Sequence, residues 1–223
     1  MRFWQQALAI TWKDILSELR TKEVVSSVGV FALLALVIFN FAFGADLETL
    51  RIVAPGILWS TFAFSGILSL NRAFSQEKEE NCLEGLMVCP ISRETIYVGK
   101  MLGSFIFMLV IAAVVLPVFT FLFNLLVATP QLITITVLTT FGFAAVGTLF
   151  AALAVNTKAR EMVLPILFLP IVVPLIIAAV RASALALAGE TWSGIGAYLR
   201  LIVAFDVIFA VVAFLVFSYV IEE

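Results

Sequence analysis

The chain has 223 residues, of which 63% are hydrophobic, and a mean hydropathy of +1.18. Soluble domains have about 45–50% apolar residues, so this composition excludes an ordinary soluble domain and predicts an all-α polytopic membrane protein. The net charge of −2 carries little information, and no nucleic-acid partner is expected. The stretch from Val163 to Val180, which has no polar side chain at all, supports the membrane interpretation.

The positions of lysine and arginine predict the orientation in the membrane. A six-helix topology with both termini in the cytosol leaves 10 of the 13 basic residues inside, as the positive-inside rule requires. The inner set is Arg2, Lys13, Arg20, Lys22, Arg72, Lys78, Arg93, Lys100, Lys158 and Arg160, and the outer set is Arg51, Arg181 and Arg200. A multi-pass membrane protein with both termini in the cytosol is therefore predicted. The first residues lack the pattern of a removable signal peptide, so insertion is expected to rely on the spans.

Residues 2–22 are predicted to form a helix that lies on the membrane. Trp4, Leu8, Trp12, Ile15 and Leu19 recur at helical spacing, while several charged residues keep the segment out of the hydrocarbon. This pattern indicates an interfacial anchor in contact with lipid. An elbow that also contacts a cytosolic subunit is the alternative.

Six membrane spans follow from the apolar runs, which reach the roughly 20 residues that a helix needs to cross a bilayer. They are predicted at residues 24–43, 52–70, 101–126, 132–155, 163–180 and 201–221. Gly142 and Gly147 lie among alanines in the fourth span and predict a face for close helix contact. Residues 182–199 are too polar and glycine-rich for a span but too apolar for a free loop, which predicts an outer interfacial or partly re-entrant segment.

Three prolines distinguish the fifth span. Pro165, Pro170 and Pro174 each lack a backbone N–H, so the helix is predicted to kink, with neighbouring groups satisfying the freed carbonyls. Whether this bend is functional or only tolerated stays open at this stage.

The sixth span contains Asp206, an ionisable residue well inside an apolar run. An acid at such a depth is costly and is a candidate functional residue. The alternative is a structural role, in which Asp206 snorkels to the interface or pairs with Arg200, six residues earlier.

A polar loop, residues 72–97, separates the second and third spans and is predicted to lie in the cytosol. Within it, residues 75–90, called the coupling segment below, are predicted to form a short amphipathic helix that ends at Pro90. Acidic residues and a small apolar cluster occur together there: Glu77, Glu79, Glu80 and Glu84, with Leu83, Leu86 and Met87. Lys158 and Arg160, in the next cytosolic loop, are predicted to make a secondary contact with a cytosolic partner. A solvated acidic loop without a partner is the alternative.

Motifs for ATP hydrolysis and for common cofactor chemistry are missing from the sequence. Gly99-Lys100 is followed by Met101 and lacks the earlier glycine of a Walker loop, so the chain is not expected to hydrolyse ATP itself. The chain contains no histidine, which removes the commonest haem and metal ligand and the commonest general base. No catalytic residue, bound cofactor or metal is therefore predicted in this chain.

The coupling segment resembles that of type-2 ABC exporter permeases, which carry a Leu-Glu-x-Leu run followed by a proline after the second span; here these residues are Leu83, Glu84, Leu86 and Pro90. More closely, the chain resembles the CcmB family, the permeases of the cytochrome c maturation system that have long been called haem exporters. The resemblance rests on residues 51–59 entering the second span, residues 83–90, and the triple-proline stretch 164–174. The chain departs from the family at Asn81-Cys82, where glycine followed by serine or threonine is common.

This resemblance implies a division of labour. A separate cytosolic ABC ATPase dimer holds ATP, a haem-handling membrane subunit and a haem chaperone hold haem, and a second copy of the permease supplies the second docking point. The permease then couples ATP hydrolysis to release of the haem-loaded chaperone. Two rival functions stay open: a generic exporter of a lipid, polysaccharide or drug, and a mechanical or assembly subunit that transports nothing.

Overall fold

The computed structural model describes residues 2–21, 23–43, 47–79, 91–125, 129–155 and 160–220. These residues form helices without a strand: α1 (Arg2–Thr21), α2 (Glu23–Phe43), α3 (Leu47–Glu79), α4 (Arg93–Phe123), α5 (Pro130–Val155), α6 (Arg160–Leu187) and α7 (Trp192–Val220). Six of them, α2–α7, are long and apolar enough to cross a membrane. The predicted all-α polytopic fold is confirmed.

Helix α5 lies at the centre of the bundle and packs against α3, α4, α6 and α7. In its candidate span 72% of the residues are buried, against 17% in the span of α2 at the periphery. The absent side chain of Gly147 leaves the space that Leu70 of α3 occupies, and Gly142 does the same for α7. The small-residue face of α5 therefore serves helix packing within this chain, where lipid supplies no hydrophobic drive for association.

An aromatic chain crosses the core from α3 through α5 to α6. The ring centroids of Trp59 and Phe62 are 5.6 Å apart, those of Phe62 and Phe143 are 5.9 Å apart, and those of Phe143 and Phe168 are 5.3 Å apart. All three pairs have the edge-to-face geometry that aromatic rings prefer. These ring contacts join the central helix α5 to the proline-rich helix α6.

Segment 182–199 differs from the predicted interfacial or re-entrant segment. Helix α6 continues to Leu187, and α7 begins at Trp192 after a tight turn. Gly189 has a φ of +85°, and its N–H and that of Glu190 bind the carbonyls of Ala186 and Leu185, which together form a Schellman motif. The alanine-rich run before the turn has high helix propensity, so two spanning helices extend beyond the predicted limits instead of ending at their arginines.

The polar loop is also shorter than predicted, because both flanking helices extend into it. Residues 75–79 continue α3 without a break, whereas a separate helix was expected to begin there. No glycine or proline interrupts residues 71–79, and Gln76 to Glu79 all favour helix. At the other end, α4 begins at Arg93, eight residues before the predicted start of the third span.

Candidate functional site at the base of the bundle

The base of the bundle is the end at which α1, the first turns of α4 and the last turn of α7 meet. Of the predicted docking residues, Glu77 and Glu79 lie in the last turn of α3, and Arg160 is the first residue of α6. The others fall outside the described residues: Glu80, Leu83, Glu84, Leu86, Met87, Pro90 and Lys158. The structure therefore describes the helices that bracket the coupling segment.

Helix α4 has a defined start directly after the coupling segment. Ser92 is its N-cap, and its hydroxyl accepts a hydrogen bond from the Thr95 N–H at 3.4 Å. The hydroxyls of Ser92 and Thr95 are 2.8 Å apart, and Thr95 is completely buried. Capping of this kind satisfies an orphan backbone donor, so the first turn of α4 is well anchored.

The first two turns of α4 also bind the end of α7 and the middle of α5. Arg93 donates from Nη1 to the Ser218 carbonyl at 2.9 Å, which satisfies an otherwise orphan acceptor in the last turn of α7. The buried Tyr97 hydroxyl donates to the Ala145 carbonyl of α5 at 3.0 Å, and its ring packs 5.1 Å from that of Phe217. A displacement of this part of α4 must therefore move or break contacts with α5 and α7.

Helix α1 lies directly against the backbone of α4. A Cβ at position 99 would be 2.8 Å from the Ile10 Cβ and 2.9 Å from the Ala7 carbonyl oxygen, so only glycine allows this approach. The Thr11 hydroxyl donates across the seam to the Gly99 carbonyl at 2.9 Å and also lies 3.0 Å from the Ala7 carbonyl. Gly99 and Gly103 form a G-x-x-x-G pattern, the signal of close helix contact in membranes.

A partly buried ion pair closes the same seam, with Asp14 23% exposed. Lys100 Nζ lies 3.1 Å from Oδ2 and 3.4 Å from Oδ1 of Asp14, and the lysine side chain is only 5% exposed. On the solvent side, Lys13 Nζ lies 3.0 Å from Asp14 Oδ1, and the Lys13 side chain is 41% exposed. This pair was not predicted from the sequence, which indicates only that Lys100 is a basic residue on the cytosolic side and that Gly99-Lys100 is not part of a Walker motif.

The opposite face of α1 is apolar and exposed. Trp4, Leu8 and Trp12 are each more than half exposed, whereas Ile15 is half-buried. Nothing is described of the Leu19 side chain. The aromatic stripe thus points away from α4, as expected for a helix whose apolar face meets lipid.

The intramembrane acid lies at a second polar position, between α5 and α7. Asp206 is 4% exposed, and neither carboxyl oxygen has a hydrogen-bond partner among the described residues. Its carboxyl group fills the notch left by Gly142. Arg200 is exposed and donates to the Gly196 carbonyl at 3.3 Å. The predicted snorkelling or pairing with Arg200 is therefore wrong, because the notch holds the carboxyl group inside the bundle.

The prolines of the fifth span lie within one helix. Helix α6 runs from Arg160 to Leu187 through Pro165, Pro170 and Pro174. Pro170 and Pro174 are on its exposed face, whereas Phe168 is buried against α5. The weakened hydrogen-bond ladder is thus on the side away from the core.

Comparison with known proteins gives consistent matches along the chain. A family model described as CcmB protein matches residues 5–222. Heme exporter protein B of Rhodobacter capsulatus is 33% identical over 151 residues, which are 66% of this chain and 68% of the relative. The Paracoccus denitrificans protein of the same name is 32% identical over 66% of this chain and 68% of its own length. The Pseudomonas aeruginosa protein is 26% identical over 74% of each chain.

Proposed function

Because the chain belongs to the CcmB family, whose curated relatives are named heme exporter protein B, we propose that it is the membrane-spanning permease of a haem exporter. Its specific task is to couple ATP hydrolysis by a separate cytosolic ABC ATPase dimer to release of a haem-loaded chaperone from a haem-handling membrane subunit. ATP is held by the ATPase and haem by the partners. The chain lies in a bacterial-type inner membrane with both termini in the cytosol, and a second copy completes the docking sites.

The observation that carries this proposal is the set of contacts in the first turns of α4. These turns follow the predicted coupling segment directly, and they bind α1 through Gly99, α5 through Tyr97 and α7 through Arg93. A partner that pushes on the coupling segment would displace one helix end that touches three others. Packed helices respond to such a displacement by shifting as units, because their interfaces do not deform continuously.

The aromatic chain offers a route from the central helix to α6. Tyr97 is bound to the α5 backbone at Ala145, two residues beyond Phe143, which packs on Phe168. Phe168 lies between Pro165 and Pro170, each of which removes one backbone hydrogen bond, so the helix bends at lower cost there. Movement at the base would therefore reach the helix best suited to bend.

The composition supports leaving haem ligation to the partner subunits. Histidine, the commonest protein ligand of haem iron, is absent from all 223 residues. The acidic residues of the coupling segment suit a groove with basic side chains on the ATPase, because complementary charges select and orient partners.

The double charge reversal Glu80→Lys/Glu84→Lys tests the docking role. It should reduce co-purification of the ATPase with the permease while leaving the amount of permease in the membrane unchanged. The matched control is Asp46→Lys/Glu48→Lys, which changes the charge by the same amount on the side predicted to face away from the cytosol. Unchanged ATPase association in the Glu80/Glu84 variant would refute the docking role.

A further inference from the structure

We infer that α1 and the first turns of α4 move as one body during coupling, and that Asp14 and Lys100 are positioning residues that join them. This inference rests on the proposed function and adds a specific mechanical element to it. When the coupling segment is displaced, α4 moves and carries α1 with it. The exposed face of α1 contacts the membrane surface during this movement. Neither residue touches substrate or nucleotide in this account.

The seam between the two helices has the properties of a rigid joint. At Gly99 the two helices are too close for an added Cβ, so one cannot rotate past the other without separation. The Thr11 hydroxyl bonds the backbone of α4 at 2.9 Å, and the Asp14–Lys100 pair lies 3.1 Å apart close by along the same seam. Contacts of three kinds thus hold the same face of α1, and the helices cannot slide without breaking all of them.

The burial of Lys100 indicates that the joint stays closed. The lysine is 5% exposed, so separation of α1 from α4 would take the Asp14 carboxylate away from an ammonium group that is largely shielded from water. Breaking such a pair by removing one partner is unfavourable, whereas the more exposed Lys13–Asp14 contact contributes little. The ion pair therefore opposes separation of the helices more than any exposed contact could.

The position of the joint links it to coupling and not only to stability. Lys100 is eight residues after the N-cap Ser92, so the joint lies about 12 Å along α4 from its capped end. On the other side of α1, Trp4, Leu8 and Trp12 face outward and suit insertion into the lipid interface. Helix α1 thus connects the end of α4 next to the coupling segment to the membrane surface. The membrane surface therefore restrains this end of α4 when the coupling segment is displaced.

A disulfide can replace the ion pair and switch the joint on and off. A Cβ at position 103 would lie 3.5 Å from the Asp14 Cβ, within the range of about 3.5–4.5 Å found in disulfides. The test chain carries Asp14→Cys and Gly103→Cys, with the native Cys82 and Cys89 changed to serine. The assembled complex is assayed for ATP-dependent release of the haem-loaded chaperone, under oxidising and reducing conditions. A chain with only the two serine substitutions controls for the oxidant.

The complex with the reduced double-cysteine chain should release the chaperone at least about fivefold more slowly than the complex with the oxidised chain. A fivefold change is the lower end of typical coupling effects between two sites. ATPase association should be equal in both forms. No restoration of release on oxidation, or faster release in the reduced form, would overturn the inference, since the helices would then not need to stay joined.

Charge variants give an independent result if the cysteine chain does not accumulate in the membrane. Asp14→Asn should slow release, Lys13→Gln should not, and the exchange Asp14→Lys/Lys100→Asp should recover release. Failure of the exchange to recover it would overturn the inference. If the Glu80→Lys/Glu84→Lys substitutions leave ATPase association unchanged, the docking role itself is refuted. Failure of the joint between α1 and α4 and failure of the docking role therefore give different results.

Discussion

Replacing Gly99 with alanine should separate α1 from α4. The new Cβ would lie 2.8 Å from the Ile10 Cβ, whereas carbon atoms pack at about 3.5–4.0 Å, so the helices must move apart by about 0.7–1.2 Å. That shift lengthens the 2.9 Å bond from Thr11 to the Gly99 carbonyl to about 3.6 Å or more, beyond hydrogen-bond range. Overpacking of this kind costs about 1–3 kcal/mol, and the lost hydrogen bond adds about 0.5–1.5 kcal/mol. The total cost should be about 1.5–4.5 kcal/mol, of which the higher helix propensity of alanine offsets up to about 1 kcal/mol.

The assay is the free energy of unfolding of the purified permease, measured by titration from a mild detergent into a denaturing one. The matched control is Gly29→Ala in α2, where an added Cβ would meet nothing within 4 Å. That substitution should be neutral or stabilising by up to about 1 kcal/mol, because alanine favours helix over glycine. Equal stability of the Gly99→Ala and Gly29→Ala chains would refute the close approach of α1 to α4.

Three further predictions concern other contacts. The buried Trp59 Nε1 donates to the Ser183 hydroxyl at 2.9 Å, so a double-mutant cycle of Trp59→Phe and Ser183→Ala should give a coupling of about 0.5–1.5 kcal/mol in unfolding; a value near zero contradicts it. Gly142→Ala should destabilise the chain by about 1–3 kcal/mol, and by less in an Asp206→Ala background, where only the Leu175 Cδ2, 2.8 Å from the added Cβ, still has to move; additive losses would contradict the packing of Asp206 against Gly142. In single-tryptophan chains, lipid-borne quenchers should reduce the fluorescence of Trp12 more than that of the buried Trp59; equal quenching contradicts the lipid-facing stripe.

Hydropathy alone was sufficient to predict the class of fold and the number of spans, because uninterrupted apolar runs of this length have few other solutions. Hydropathy did not predict where the helices end. Polar groups at a span boundary, such as Ser183, predict a surface segment, yet Ser183 is buried and its hydroxyl accepts a hydrogen bond from Trp59. A helix that continues past the hydrocarbon keeps its backbone hydrogen bonds, so helix propensity decides where it ends and hydropathy does not.

The base of the bundle was only partly predictable. The surplus of acid in the coupling segment singled it out, but the contacts that join its neighbouring helix to α1, α5 and α7 depend on tertiary packing. Gly99 and Gly103 did carry a local signal in their spacing, whereas nothing in the sequence pairs Lys100 with Asp14, 86 positions away. Asp206 was identified from its apolar surroundings, yet its true neighbour, Gly142, is on another helix.

In the proposed function, this chain converts ATP hydrolysis on a separate subunit into release of a haem-loaded chaperone. The most direct measurement follows that release from the purified complex after ATP addition, with the native permease and with the Glu80→Lys/Glu84→Lys variant. We expect ATP-dependent release with the native chain and retention of the chaperone with the variant. Equal release from both complexes, or release that does not require ATP, would refute the proposed coupling.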